Sequence, residues 1–179
     1  IEHFEAVKNQ PSILLTPHFV GMDAGGQWVA QHTDTVCMYA NQKNVYMTEL
    51  LLQKRARFRN QHLYSRQQGL RPILKGMKQG LPFIYPPDQD QGIKDGAFIP
   101  FFGVPAATMT SVPRIAQMAG AKVVPSITKV LPSGEGYVLT FYPAWDNFPS
   151  GDDIADARRM NAFIEDRVRE MPEQYFWLH

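Results

Sequence analysis

The stretch "SILLTPHFVGMDAGG", Ser12 to Gly26, decides how the chain is read. A short apolar run stops at Pro17, a histidine follows at once, and an aspartate comes five positions later, ahead of a glycine pair. The run Ser12–Thr16 suits a short buried strand, and Met22–Gln31 a helix that Gly25 and Gly26 weaken. Residues five apart on an α-helix point roughly 140° apart, so His18 and Asp23 cannot meet on one regular helix. They can meet if His18 lies in the loop after the strand and Asp23 opens the helix. Pro17 pushes the residue before it toward extended geometry, and Gly21 permits a tight turn. The pair would then stand at the carboxyl end of a strand, where open α/β sheets hold their ligands.

Working outward, the same alternation recurs. "TVCMYA" (Thr35–Ala40) is strand-like, and Val45–Phe58 places apolar residues near helical spacing. Leu70–Gln79 predicts a helix with Pro72 in its first turn and Gly80 closing it. "LPFIYP" (Leu81–Pro86) is a strand, followed by a polar loop, Pro87–Gly96. Ala106–Gly120 is expected to be a helix kinked at Pro113, closed by Gly120. "KVVPSITKVL" and "YVLTFYP" are two strands joined by a hairpin-like connection, and Asp152–Glu170 is a charged amphipathic helix. The expectation is one α/β domain, residues 1–179, with a mixed, mostly parallel central sheet flanked by helices and an antiparallel pair near its end.

Composition narrows the function classes. The chain has 179 residues, 44% of them hydrophobic, and a formal net charge of +1. That supports a sizeable core and gives no global field toward nucleic acid. A single cysteine, Cys37, excludes an internal disulfide and suits a reducing compartment. No apolar run reaches membrane-spanning length. The charge is unevenly placed: Leu50 to Pro87 contains no acid, yet holds Lys54, Arg55, Arg57, Arg59, Arg66, Arg71, Lys75 and Lys78 out of 18 basic residues. This block is either a solvated basic face or a contact for a local anionic partner.

A carboxylate beside an imidazole holds one tautomer and stabilises the imidazolium formed when the other nitrogen takes a proton. His18 with Asp23 is therefore a candidate general base; the alternative is a loop histidine and a helix-opening aspartate. No G-x-S-x-G nucleophile pattern is present, and Cys37 sits in an apolar strand, so the base would act on a substrate hydroxyl or on water. His3, His32, His62 and His179 show no metal-ligand spacing, and no metal is expected.

Longer motifs add a family. "LLTPHFVGMDAGG" resembles the H-x4-D/E motif of glycerolipid acyltransferases. "YSRQQGLRPILKGMKQGLPFIYPPDQDQG", "AFIPFFGVPAATMTSVPRIAQMAGAKVVPSI" and the closing "MPEQYFWLH" resemble successive blocks of the bacterial lipid A (late) acyltransferases. The resemblance runs from about Ile13 to His179. It implies a glycerol-3-phosphate acyltransferase-like fold. It also implies transfer of a fatty acyl chain from acyl-acyl carrier protein or acyl-CoA, with no further cofactor, to a hydroxyl of a phosphorylated lipid A precursor. His18 and Asp23 would be catalytic. Arg66, Asp88, Asp90 and Gly92 would bind substrate, with Arg59 in a basic face toward lipid phosphates or carrier protein. On the residues alone, Asp88 and Asp90 could instead anchor their loop, pair with Arg66, or bind a metal. A helix N–H near Ala24 or Gly25 is a candidate oxyanion stabiliser. The family usually works at the cytoplasmic face of the inner membrane behind an N-terminal anchor, and both that anchor and the extreme C-terminus are expected to lie outside this sequence. "AFIPFF" is either a buried strand or a greasy wall toward acyl chain or membrane. Competing expectations are a lysophospholipid or other glycolipid acceptor, a thioesterase on the same dyad, and a non-enzymatic lipid- or carrier-binding module.

Overall fold

The computed structural model describes residues 1–90, 92 and 96–178. Gln91, residues 93–95 and His179, which belong to the polar loop and the closing motif, lie outside the described residues.

Chain order is α1 (Glu2–Glu5), β1 (Ser12–Leu15), α2 (Met22–His32), β2 (Thr35–Tyr39), α3 (Val45–Arg55), β3 (Gln61–Ser65), α4 (Arg71–Lys78), β4 (Pro82–Tyr85), β5 (Gly96–Phe101), β6 (Val104–Met109), α5 (Ser111–Ala119), β7 (Lys122–Val130), β8 (Tyr137–Phe141) and α6 (Asp153–Glu170). Among the described residues β3-β2-β4-β1-β7-β8 form one sheet and β5-β6 a separate hairpin. Pairing is parallel across the first five strands and antiparallel between β7 and β8. The fold is thus α/β with a mostly parallel central sheet, as the alternation predicts.

Period-two alternation fills both faces of the sheet. Ile13, Leu15, Phe83 and Val123 point to a core completed by Ile73 and Met77 of α4, Val112 and Ile115 of α5, and Ala157 and Met160 of α6. Leu14 and Val124 point the other way, onto Phe4, Val29 and Phe141. Each fully buried Leu, Ile or Phe contributes about 1.5–3 kcal/mol by leaving water. A third cluster, with Phe19, Ile127, Ile164, Val168, Met171 and Tyr175, sits beneath the loop that carries His18.

Two expectations are corrected, and one strand is added. The predicted helix Ala106–Gly120 is a strand followed by a shorter helix. Alanine favours a helix, but Ala106 and Ala107 pair with Ile99 and Phe98 across the hairpin, and tertiary pairing overrides that preference. Pro113 consequently falls in the first turn of α5, where its missing N–H costs nothing, and no kink is required. The helix from Val45 stops at Arg55 and contains no buried residue, so its apolar positions do not form core. Gln61–Ser65, which carries no strong alternation, is an edge strand held by β2.

Candidate active site

Register builds the site. β1 and β4 are adjacent and parallel, with Leu15 opposite Tyr85, and the Thr16 N–H extends the pairing to the Tyr85 carbonyl. Each strand then runs into proline: Thr16-Pro17-His18 after one, Pro86-Pro87-Asp88 after the other. His18 and Asp88 are each three residues beyond that matched pair, so they arrive side by side at the carboxyl edge of the sheet.

Their contact is double. His18 Nδ1 lies 2.6 Å from Asp88 Oδ1, and the His18 backbone N–H donates to Asp88 Oδ2 at 2.8 Å. With both oxygens engaged, the carboxylate fixes the ring plane and the Nδ1–H tautomer, which carries its lone pair on Nε2. The Asp88 side chain is 5% exposed. The expected partner, Asp23, opens α2 but is 70% exposed, and its Oδ1 lies 3.2 Å from Arg55 Nη2. The structure therefore seats the His18 ring on Asp88, not on Asp23. The physical reason is that Asp23 begins an outward-facing first turn, whereas Asp88 follows the neighbouring strand.

The other candidates separate. Arg66, in a short turn after β3, donates from Nη2 to Gln89 Oε1 at 2.8 Å and so meets the residue between the two carboxylates. Asp90 accepts from the Gly92 N–H at 2.7 Å, with Gly92 at φ +76°: a loop anchor. Arg59 donates to the Gln31 carbonyl at 2.7 Å, tying its loop to the end of α2. The Gly25 N–H bonds the Gly21 carbonyl inside α2, which removes it as an oxyanion donor. Burial pushes the Cys37 thiol up, against a nucleophilic role. Among the described residues, no group of three His, Cys, Asp or Glu side chains gathers to hold a metal ion.

A cavity of about 560 Å³ reaches the loop that carries Asp88, although neither His18 nor Asp88 is among its lining residues. Pro86, Pro87 and Gln89, the neighbours of Asp88, form one side, and Met38, Leu70 and Ile115 are among its apolar walls. Arg66 and Arg114 also line it. An apolar cleft with a few convergent polar groups is the usual form of a small-molecule site. Burial pushes the Tyr85 phenol up, while Ser111, 2.9 Å away, and the nearby Arg66 draw it back in part.

The whole chain is similar to known proteins. The sequence profile for "Bacterial lipid A biosynthesis acyltransferase" matches residues 1–179. The chain belongs to the bacterial lipid A biosynthesis acyltransferase family. It is 31% identical to the lipid A biosynthesis lauroyltransferase of Escherichia coli over 182 residues, covering 100% of this chain and 59% of that protein. It is 32% identical to a lipid A biosynthesis acyltransferase of Haemophilus influenzae, covering 99% of this chain and 56% of that protein. It is also 32% identical to the lipid A biosynthesis myristoyltransferase of Escherichia coli, covering 95% of this chain and 53% of that protein. The chain thus spans little more than half the length of these family members.

Within the family's motifs, sequence reasoning placed Asp88 in a binding loop and missed its bond to His18. The signal was present as two parallel phrases, "ILLTPH" and "FIYPPD", each an apolar strand broken by proline before a polar residue. Gln174 and Tyr175, read only as part of the closing motif, also meet the His18 loop. Phe19 forms a β-bridge with Tyr175, so the closing motif folds back onto the His18 loop.

Proposed function

We propose that this chain carries the catalytic unit of an acyltransferase that moves a fatty acyl chain from an acyl thioester to a hydroxyl of a lipid A-type precursor. The observation that carries this reading is the 2.6 Å His18–Asp88 pair, whose Asp88 loop also supplies Pro86, Pro87 and Gln89 to the lining of a cavity of about 560 Å³.

His18 Nε2 takes the proton of the acceptor hydroxyl as that oxygen attacks the thioester carbonyl. The carbonyl electron pair moves to oxygen, giving a tetrahedral oxyanion. Collapse re-forms the carbonyl and breaks the carbon–sulfur bond, and the departing thiolate takes the proton back from the imidazolium. Asp88 stabilises the imidazolium between the two transfers. No covalent enzyme intermediate is required. The cavity suits the donor's hydrocarbon chain, and Arg66 offers a guanidinium to an anionic group nearby.

The donor is acyl-acyl carrier protein or acyl-CoA; the basic block from Lys54 to Lys78 is the surface proposed to meet an acidic carrier or lipid phosphates. A membrane surface is the proposed setting, on the cytoplasmic face of the inner membrane. The hairpin β5-β6 supports it: from Gly96 to Met109 it has no charged residue, one strand packs on α6, and Phe98 and Val104 are 64% and 65% exposed. Its tip residue Phe102 lies under the Arg169 guanidinium, 5.0 Å away, an aromatic and a cation together as at lipid interfaces. Among the described residues, no helix is long and apolar enough to cross a membrane.

The test is mass spectrometry of a phosphorylated lipid A precursor incubated with a panel of acyl thioesters. Wild-type protein should add one acyl chain, and His18→Ala should add none. Thioester loss that is equal with and without acceptor would assign a thioesterase instead.

A further inference from the structure

The cavity of about 560 Å³ joins two kinds of chemistry. Much of its wall is apolar, with Met38, Phe83 and Met118 among the side chains. Its charged lining is of one sign: Arg66 and Arg114 both face it, and among the described residues no acid lines it. In a concave site with low-dielectric walls, like charges add to one field that concentrates an oppositely charged ligand.

Both guanidiniums are held by neighbouring groups. Arg66 donates from Nη2 to Gln89 Oε1 at 2.8 Å. Arg114, near the start of α5, folds back on the residue ahead of the helix. Its Nε donates to the Thr110 carbonyl at 3.3 Å and its Nη2 to Thr110 Oγ1 at 3.0 Å. Asp153 Oδ2 also lies 3.4 Å from Nε, but the two side chains are 48% and 43% exposed, so water screens that pair and it restrains Arg114 weakly. Two hydroxyls line the same cavity, those of Tyr85 and Ser111, 2.9 Å apart. Two guanidiniums bring a charge of about +2, and a phosphate monoester at neutral pH carries about −1.5 to −2. Their forked N–H groups match phosphate oxygens in pairs, and hydroxyls add further donors. The apolar wall suits a hydrocarbon chain on the same molecule.

We propose that Arg114 is a substrate-binding residue that acts with Arg66 on one phosphate group of a substrate bearing a hydrocarbon chain. This deepens the acyl-transfer reading above and rests on it for the kind of substrate, whereas the binding chemistry is measurable without turnover. The phosphate comes from one of two sources, the acyl donor or the acceptor lipid.

The first experiment is calorimetric titration with dodecyl phosphate and with uncharged dodecyl maltoside, each below its micelle concentration. Wild-type protein should bind the phosphate at least about 10-fold more tightly, the worth of one hydrogen bond to a charged group. Arg114→Met keeps the length of the stem and removes the charge. It should weaken dodecyl phosphate about 10- to 100-fold and leave dodecyl maltoside unchanged. Asp153→Asn, which removes the competing carboxylate, should bind dodecyl phosphate at least as tightly as wild type. Equal affinity of wild type for the two probes, or an equal loss of both in Arg114→Met, would overturn the proposal and leave Arg114 a tie between α5 and its surroundings.

The second experiment locates the phosphate. KM of Arg114→Met is measured with acyl-CoA and with an acyl-N-acetylcysteamine thioester, which has no phosphate, and with phosphorylated and dephosphorylated acceptor. A rise confined to acyl-CoA assigns the group to the donor, and a rise confined to the phosphorylated acceptor assigns it to the acceptor; either sustains the proposal. A change that ignores phosphate in both comparisons would sink it. Acyl transfer that persists in His18→Ala would instead overturn the general-base reading, and the titrations would still decide the role of Arg114.

Discussion

Replacing Asp88 by Asn tests the site at its centre. The carboxylate gives one oxygen to the His18 ring at 2.6 Å and the other to the His18 N–H at 2.8 Å. Asparagine keeps the shape but offers one acceptor and one donor. If its oxygen stays on the backbone N–H, its NH₂ faces Nδ1 and forces the proton onto Nε2, so the base is lost. If its oxygen turns to Nδ1, its NH₂ confronts the backbone N–H, donor against donor. Losing a charge-assisted hydrogen bond costs about 1.5–3 kcal/mol, or roughly 10- to 100-fold in rate. The wrong tautomer adds to this, and the same change in a serine protease triad lowers kcat by about 10⁴-fold. The expectation for Asp88→Asn is a kcat loss of about 10³- to 10⁴-fold with KM little changed. Asp23→Asn removes an exposed ion pair with Arg55, worth about 0–1 kcal/mol, and should cost less than about 10-fold. Both are read by initial rates of acyl transfer on protein whose melting temperature is checked. Retention of more than about a tenth of wild-type kcat in Asp88→Asn, or a greater loss in Asp23→Asn, would refute the pairing of Asp88 with His18 as the basis of the reaction.

Three further outcomes follow from packing and charge. A Cβ at Gly25 would overlap the Thr128 hydroxyl, so Gly25→Ala should destabilise by about 1–3 kcal/mol and lower the melting temperature measured by scanning calorimetry. Burial pushes the Glu165 carboxyl up, but hydrogen bonds from Arg158, the Phe102 backbone and Arg169 outweigh it and hold it below the usual range. Its folded value being the lower one, its stabilisation is complete above the unfolded value of about 4.3 and fades as pH falls through the folded value; the stability advantage of wild type over Glu165→Gln in urea titrations should therefore shrink below about pH 4. On the hairpin, Phe98→Glu with Val104→Glu should reduce co-flotation with anionic phospholipid vesicles and leave the melting temperature close to wild type; undiminished flotation would exclude that face from membrane contact.

The alternation of apolar runs with helical spacing made most of the sheet legible: β1 is buried along its whole length, and β4 and β7 carry the short buried apolar runs Pro82-Phe83 and Val123-Val124. β3 escaped because it is an edge strand held by β2, and "QHLYS" carries little burial signal of its own. The β6 segment escaped because alanines, read locally, favour a helix, and only the partner strand decides otherwise. At the site, His18 was legible from its position after a strand and a proline. Its partner was not, because spacing along the chain favours Asp23, five residues away, while the bond to Asp88 spans 70 residues and exists only through strand order. Sequence proximity and sheet neighbourhood are different metrics, and here the second one governs.

Because the imidazole and its carboxylate come from strands that become neighbours only when the sheet closes, no local fragment of the chain can assemble them. A slip of one residue between β1 and β4 would set Pro87 or Gln89 where Asp88 belongs and would also turn each strand's buried side chains to the opposite layer. On the acyl-transfer reading proposed above, turnover would be a clock for long-range order. During refolding, helical signal should return first, and enzymatic competence only in the last phase, when those two strands have locked in register.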